Sequence, residues 1–332
     1  MHFIEGPVKW GIIGCGDVCE VKSGPAFGKV EGSSLEAVMR RDASKAADFA
    51  KRHHVRLSYA DAAMLIDNPQ VNAIYIATPP ESHEKYAIEA MRAGKPVYIE
   101  KPVSTSSASC KRILEASSKF QIPCVVAHYR RELELFKRVR KLVVSGAIGK
   151  VSLITLNLYH PPKLEGISEN WRVDPSLSGG SLLYDLGPHQ LDILFWIFGT
   201  PHSVNTSSIN QGKYYTAADI TSITAVFDKD IFFQGVWSFN IPAHEKRDSC
   251  KIIGESGSLE FPFFSSFTSA KLVVNQNGAA SIEEFTFPAH IQEPMIQQVV
   301  RYFQGHRGNP CGLDEALVTL QMIEKSQTLV NA

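Results

Sequence analysis

Residues Val8 to Cys19 read VKWGIIGCGDVC. The run Val8 to Ile13 is apolar and short, the pattern of a buried strand, and it ends at a glycine. The next six residues, Gly14-Cys15-Gly16-Asp17-Val18-Cys19, form a G-x-G-x-x-C turn. A dinucleotide-binding strand–turn–helix unit carries G-x-G-x-x-G/A at this place. Gly14 permits the tight turn, and Gly16 lets the backbone approach a pyrophosphate. The last position must be small for helix–strand packing, which cysteine satisfies. Helix N-terminal amides from Asp17 and Val18 onward would then face the phosphate charge. An ordinary glycine turn could look the same, and Gly24-Pro25 interrupts the following helix early. The context outside the turn favours the dinucleotide reading.

Downstream, short β-rich runs alternate with amphipathic helical runs. Leu35–Met39 reads as a strand and Ala43–His53 as a helix. Ala73–Ala77 is a strand stopped by Thr78-Pro79-Pro80, and Ser82–Ala93 a helix ended by Gly94. Val97–Glu100 and Cys124–Ala127 are further strands. The alternation describes a parallel, doubly wound sheet. Past His128 the pattern changes. A helix over Glu132–Val144 precedes longer strands at Val151–Tyr159, Ile220–Phe227, Ile231–Phe239 and Lys271–Asn275. Helices are expected at Gly187–Phe198, Met295–Gln304 and Leu313–Thr328. Long grouped strands with few helices imply an antiparallel or mixed sheet. The fold class is α/β, with a parallel-sheet Rossmann domain over 1–127 and an α/β domain with an open mixed, largely antiparallel sheet over 128–332. Two domains suit a chain of 332 residues, since domains average roughly 100–200.

Thirty-four basic residues balance thirty-four acidic ones, so nothing points to nucleic acid or an anionic membrane as partner. The most apolar stretch, Leu191–Gly199, is too short to span a bilayer. No basic and apolar leader opens the chain. The six cysteines lack zinc-like spacing, so no metal is expected, and free thiols suit a reducing cytoplasm. After the second strand stands Met39-Arg40-Arg41-Asp42. NAD sites place an acid there for the ribose 2′-hydroxyl, whereas NADP sites use arginine for the 2′-phosphate. Arg40 and Arg41 favour NADP through charge-assisted contacts. NAD stays open, because either arginine could be a solvated surface charge and Asp42 could still reach a ribose.

Six motifs occur in one order: the glycine turn, Ala77-Thr78-Pro79-Pro80 with His83, Glu100-Lys101-Pro102, Trp171-Arg172, Gly179-Gly180, and Asp185-Leu186-Gly187-Pro188-His189-Gln190-Leu191-Asp192. Together they resemble the Gfo/Idh/MocA family of glucose–fructose oxidoreductases and inositol dehydrogenases, from about Val8 to the final helix. The resemblance implies hydride transfer between a nicotinamide and a hydroxyl-bearing carbon of a sugar, cyclitol or related polyol. It implies cofactor contacts from Thr78, Pro79, His83, Glu100, Lys101 and Pro102, with a peptide before Pro102 that is often cis. Lys101 matches the family lysine, and Asp185 with His189 matches the family D-x-x-x-H pair. The C-terminal sheet is implied as an oligomer interface, giving a homodimer or homotetramer. Cys19 and Gly24-Pro25 depart from the family pattern.

The chemistry asked of these residues is consistent with the assignment. Oxidising an alcohol requires a base near neutral pKa, and histidine begins at about 6.5. Asp185 and His189 are four apart and share a face if helical, so the carboxylate could fix the imidazole tautomer. Lys101, at the carboxyl end of a parallel strand, could steady oxygen as negative charge develops. A lysine before proline is more commonly a surface charge, and a histidine after Gly-Pro a packed residue; the ordered family pattern raises both. Asp192 reads as structural, tying its helix to a neighbouring arginine. Tyr129, Arg130 and Arg131 lie just past the last Rossmann strand, where a substrate cleft would open. With Trp171, Arg172, Asp185 and His189 they are the expected substrate contacts. Two other functions fit the same fold: a glycosidase using transient nicotinamide oxidation, and a non-enzymatic nucleotide-sensing regulator.

Overall fold

The computed structural model describes residues 2–164, 171–178, 180–264, 266 and 268–326, with the Trp171 side chain outside that set. The chain forms two compact units. One is Met1–Tyr129 with Pro288–Leu317, and the other is Arg130–Phe287 with Val318–Ala332. The sequence reading put a single crossing near residue 128. The first crossing lies there, but the chain returns to the first unit at Pro288, a long-range event that local periodicity does not encode.

The first unit contains β1 (Val8–Ile13), β2 (Ser33–Met39), α1 (Ala43–Arg52), β3 (Leu57–Tyr59), α2 (Ala62–Ile66), β4 (Ala73–Ile76), α3 (His83–Arg92), β5 (Val97–Ile99), α4 (Ser107–Phe120) and β6 (Cys124–Val126). The strands pair in the order β3-β2-β1-β4-β5-β6, all parallel. β4, β5 and β6 are buried along their whole length, as strands covered on both faces must be. Side-chain caps fix the helix starts: Asp42 for α1 and Ser106 for α4 accept backbone N–H groups of the first turn. Where Gly24-Pro25 was expected to interrupt, a π-helical turn over Cys19–Ser23 hands over to 3₁₀ turns over Gly24–Gly28. A Cβ at Gly24 would lie 2.5 Å from the Cys19 carbonyl oxygen, so this close handover excludes side chains.

The second unit contains α5 (Glu134–Val144), β7 (Val151–Tyr159), α6 (Pro175–Ser178), α7 (Leu182–Phe198), β8 (Ser203–Ile209), β9 (Ile220–Phe227), β10 (Ile231–Ser238), β11 (Arg247–Gly254), β12 (Gly257–Phe261), β13 (Ser269–Gln276) and β14 (Ala279–Thr286). Their sheet runs β14-β13-β12-β11-β7-β10-β9-β8. Only the β7–β10 pair is parallel among these ladders. α5 and α7 cover one face, through Phe136 against Phe261 and Phe263, and Phe195 and Phe198 against Phe227. Trp237 Nε1 donates to Gln190 Oε1 at 2.7 Å and pins α7 to the sheet. α7 begins five residues before the expected Gly187, capped by the Ser181 hydroxyl, and carries Pro188 inside it. A Cβ at Gly187 would sit 2.6 Å from Leu183 Cδ1.

The chain closes with α8 (Glu293–Phe303) and α9 (Leu313–Lys325). α8 buries Met295, Ile296, Val299, Val300 and Phe303 within the first unit. Phe303 packs against Trp10, which continues through Phe27 and Tyr75 to Tyr98 as one aromatic core. Among the described residues, no helix is long and apolar enough to cross a membrane.

Candidate functional site

Each half of the expected site is formed within one unit. In the first unit, β1 delivers the chain into the turn at Gly14, whose φ of +93° only glycine adopts without strain. A Cβ there would also come within 2.7 Å of Thr78 Cγ2 and 2.8 Å of Thr78 N, whereas one at Gly16 would meet nothing within 4 Å. Gly14 is thus required by crowding, and Gly16 exposes bare backbone to open space, as close approach of a phosphate demands. Cys19 is fully buried, its Sγ 3.6 Å from the Gly14 carbonyl. Burial pushes its thiol pKa up, so it serves as a small packing residue.

A cavity of about 430 Å³ opens against this turn, lined by Gly14, Gly16, Arg40, Arg41, Thr78 and Pro79 among others. The sequence reading missed Lys45 and Tyr86, which also line it; Lys45 is exposed and Tyr86 half-buried, and no motif marks either. Arg40 Nη1 donates to the Cys15 carbonyl at 3.5 Å. The Asp42 carboxylate is committed to capping α1. It accepts from Ser44 N at 3.0 Å, Ser44 Oγ at 2.6 Å and Lys45 N at 3.2 Å. The Ser44 hydroxyl bond, then the Lys45 amide, hold its carboxyl below the usual range. Three cations, Arg40, Arg41 and Lys45, therefore line the cavity beside an acid that is engaged in its helix cap.

Two of the expected cofactor contacts, His83 and Glu100, are engaged within the fold. His83 is buried, and its Nε2 donates to the Thr78 carbonyl at 2.7 Å. Burial lowers its pKa to about 4, so it is a neutral clamp behind the Thr78-Pro79 turn rather than part of the cavity wall. Glu100 is also buried, accepting from Tyr75 Oη at 2.6 Å and Gln292 Nε2 at 2.6 Å. Asp17 is exposed at the turn and does not line the cavity with Gly14 and Gly16. Val18 is half-buried, and its carbonyl accepts from Ser23 Oγ at 3.4 Å. The Lys101-Pro102 peptide is cis, and Lys101 is half-buried just beyond β5.

In the second unit, α7 carries Asp185 and His189 one turn apart. His189 is almost wholly buried, with its ring edge-on to Phe264 at 5.8 Å. Asp185 Oδ2 accepts from Arg172 Nε at 2.9 Å, so this carboxylate is oriented by an arginine that was expected to contact substrate. Arg131 also departs from that expectation. Its Nε and Nη2 reach Asp192 Oδ2 and Oδ1 at 2.9 and 2.7 Å, with both side chains buried. The guanidinium fork is therefore filled by Asp192, the structural tie read for that aspartate. Arg130 is buried with its guanidinium 4.6 Å from the Phe264 ring centre. Tyr129, in the first unit, is buried as well. Phe264 was not singled out from sequence. Its backbone N–H and that of Phe263 donate to the Asp248 carboxylate, which fixes the ring beside His189 and Arg130. The Trp171 side chain and Gly179 lie outside the described residues.

Comparison with known proteins is consistent with this geometry. Residues 8–128 match a family model described as an oxidoreductase family with an NAD-binding Rossmann fold. Residues 136–260 match the GFO/IDH/MocA C-terminal domain. Oxidoreductase P35 of Formosa agariphila is 39% identical, the match spanning 97% of this chain and 98% of that protein. Inositol 2-dehydrogenase 2 of Saccharopolyspora erythraea is 26% identical over 75% of this chain and 71% of its own. Aldose-aldose oxidoreductase from Caulobacter crescentus shares the fold, with a TM-score of 0.83 at 22% identity over 96% of both chains.

Proposed function

Because the chain belongs to the Gfo/Idh/MocA oxidoreductase family, we propose that it is an NADP-preferring dehydrogenase or reductase acting on a CH–OH carbon of a sugar, cyclitol or related polyol. The substrate class rests on the family and on the named activity of the inositol 2-dehydrogenase relative. When bound, the nicotinamide supplies the hydride acceptor or donor. Gly14, Gly16, Arg40, Arg41, Thr78 and Pro79 would hold the dinucleotide. His189 takes the hydroxyl proton as the C–H bond breaks, and returns it in the reductive direction. Asp185 favours the imidazolium that results. The Lys101 ammonium steadies the oxygen while it carries negative charge.

The capped Asp42 is the observation that carries the cofactor preference. Replacing Arg40 and Arg41 together with alanine should weaken NADPH binding about 10- to 100-fold, the scale of one or two charge-assisted hydrogen bonds. NADH affinity should change by less than about threefold. Fluorescence titration of both cofactors measures this, and equal affinity of the unsubstituted protein for the two would end the NADP assignment. Turnover across a panel of sugars, polyols and keto-sugars with each cofactor, followed by nicotinamide absorbance, tests the reaction itself.

The face of the second sheet away from α5 and α7 supports assembly into a homodimer or homotetramer. Val226, Phe232, Leu153 and Ile253 lie side by side across four neighbouring strands, with Phe232 43% exposed. A contiguous apolar row of this kind is costly to leave in water. Phe232→Glu should lower the molar mass measured by light scattering, and a wild-type monomer at assay concentration would remove the proposal. All six cysteines are buried and none is joined in a disulfide, which supports a reducing compartment such as the cytoplasm.

A further inference from the structure

Gln292 is fully buried where the chain re-enters the first unit, immediately before α8. Its side-chain amide works in both directions. Nε2 donates to Glu100 Oε1 at 2.6 Å, and Oε1 accepts from Tyr98 Oη at 3.0 Å. Its backbone N–H donates to the Lys22 carbonyl at 3.2 Å, in the π-helical turn that follows the phosphate-binding glycines. Glu100 in turn accepts from Tyr75 Oη at 2.6 Å, and its Oε2 accepts from the backbone N–H of Lys101 at 3.2 Å. The Tyr75 hydroxyl lies 3.1 Å from Ser23 Oγ in the same π-helical turn.

We propose that Gln292 is a positioning residue for Lys101, acting through Glu100. The inference rests on the reading of Lys101 as the residue that steadies the reacting oxygen. Glu100 bonds the very amide from which the Lys101 side chain departs, so the orientation of its carboxylate sets that peptide plane. Two buried donors fix the carboxylate, and one of them comes from a residue far along the chain. A carboxamide provides a donor for Glu100 and an acceptor for Tyr98 from one planar group, whatever the pH. Leucine provides neither. A protonated glutamic acid provides both, and an ionised one loses the donor. The titratable groups facing this amide are Glu100, Tyr75 and Tyr98. Behind the tyrosines stand the thiols of Cys19 and Cys311, which also raise the tyrosine pKa values after burial and Glu100 have done so.

The test compares Gln292→Leu and Gln292→Glu with the unsubstituted protein. It uses the NMR exchange rate of the Lys101 amide, NADPH affinity by fluorescence, and the single-turnover hydride rate on a substrate confirmed in the panel. In Gln292→Leu the Lys101 amide should exchange roughly tenfold faster or more, as its acceptor loosens. The hydride rate should fall about 10- to 100-fold, the scale expected when a catalytic group is misplaced. NADPH affinity should hold within about threefold, because the backbone bond to Lys22 is kept. In Gln292→Glu the new carboxyl and Glu100 form a coupled pair. With one proton shared, the arrangement is restored; with both ionised, the two charges repel and it opens. Amide exchange relative to wild type should therefore be near unity at low pH and rise with pH, while the relative hydride rate falls. An unchanged Lys101 amide in Gln292→Leu, or a hydride rate equal to wild type despite a loosened amide, overturns the proposal. So does a Gln292→Glu ratio that is flat with pH. If wild type turns over nothing in the panel, the proposed reaction fails, and the amide measurements still decide the role of Gln292.

Discussion

His189→Ala should oxidise a confirmed substrate roughly 10²–10⁴-fold more slowly than the unsubstituted protein, the usual contribution of general acid–base catalysis. Cofactor affinity should stay constant, because the cavity that would hold the dinucleotide is built entirely from first-unit residues. The imidazole is held by its place on α7 and by the Phe264 edge, so the substitution removes the base and leaves the helix. The pH profile provides a second reading. An imidazolium cannot accept a proton, so oxidation by wild type should decline as pH falls through one apparent ionisation, and His189→Ala should lose that ionisation. Stopped-flow measurement of the hydride step in each protein separates chemistry from product release. Near-normal turnover in His189→Ala, with chemistry rate-limiting, would remove the site assignment.

The buried pair Arg131–Asp192 carries the second large effect. Asp192→Ala should cost about 3–5 kcal/mol of stability, because it strips the bidentate partner from a guanidinium held out of water. Denaturant unfolding of the variant, with an unchanged slope, measures the loss. Replacing both members with apolar residues of similar volume, Arg131→Met with Asp192→Leu, should be far milder than either single change, since no buried charge is then left without its counter-ion. A loss in the double variant equal to the sum of the two single losses would show that the side chains are not coupled and that the pair contributes nothing beyond packing.

The sequence was most legible where local chemistry determines structure. The parallel strands of the first unit announce themselves as short apolar runs between glycine, proline and capping residues. β7 and β9 match their expected limits because Val151–Tyr159 and Ile220–Phe227 alternate cleanly. β3 is only three residues long, and β8 and β14 are exposed and rich in Ser, Asn and Glu. Edge strands of that kind have little apolar signal, so they went unread. β11, with the sequence RDSCKIIG, hides its alternation behind charge. The site divides in the same way. Gly14, Gly16 and the Arg40-Arg41 pair could be read because backbone geometry and charge restrict those positions. The capping role of Asp42, the clamp made by His83 and the filling of Arg131 by Asp192 depend on partners that no motif spacing reveals. Gln292 is the extreme case: its bond to Glu100 joins positions 192 residues apart.

That separation bears on how the protein is made. The glycine turn and the strands behind it emerge from the ribosome before the second unit, yet their aromatic core lacks Phe303 until α8 has been synthesised. Translation proceeds at about 5–20 residues per second, so the early segment waits on the order of ten to forty seconds for its missing piece. During that interval Trp10, Tyr98 and Glu100 lack the neighbours that bury them in the finished protein. The nascent chain is then a natural client for chaperones, and a fragment ending at residue 129 should expose this apolar surface permanently. The first unit is begun before the second, yet it is completed only after residues 130–287 of the second have been translated.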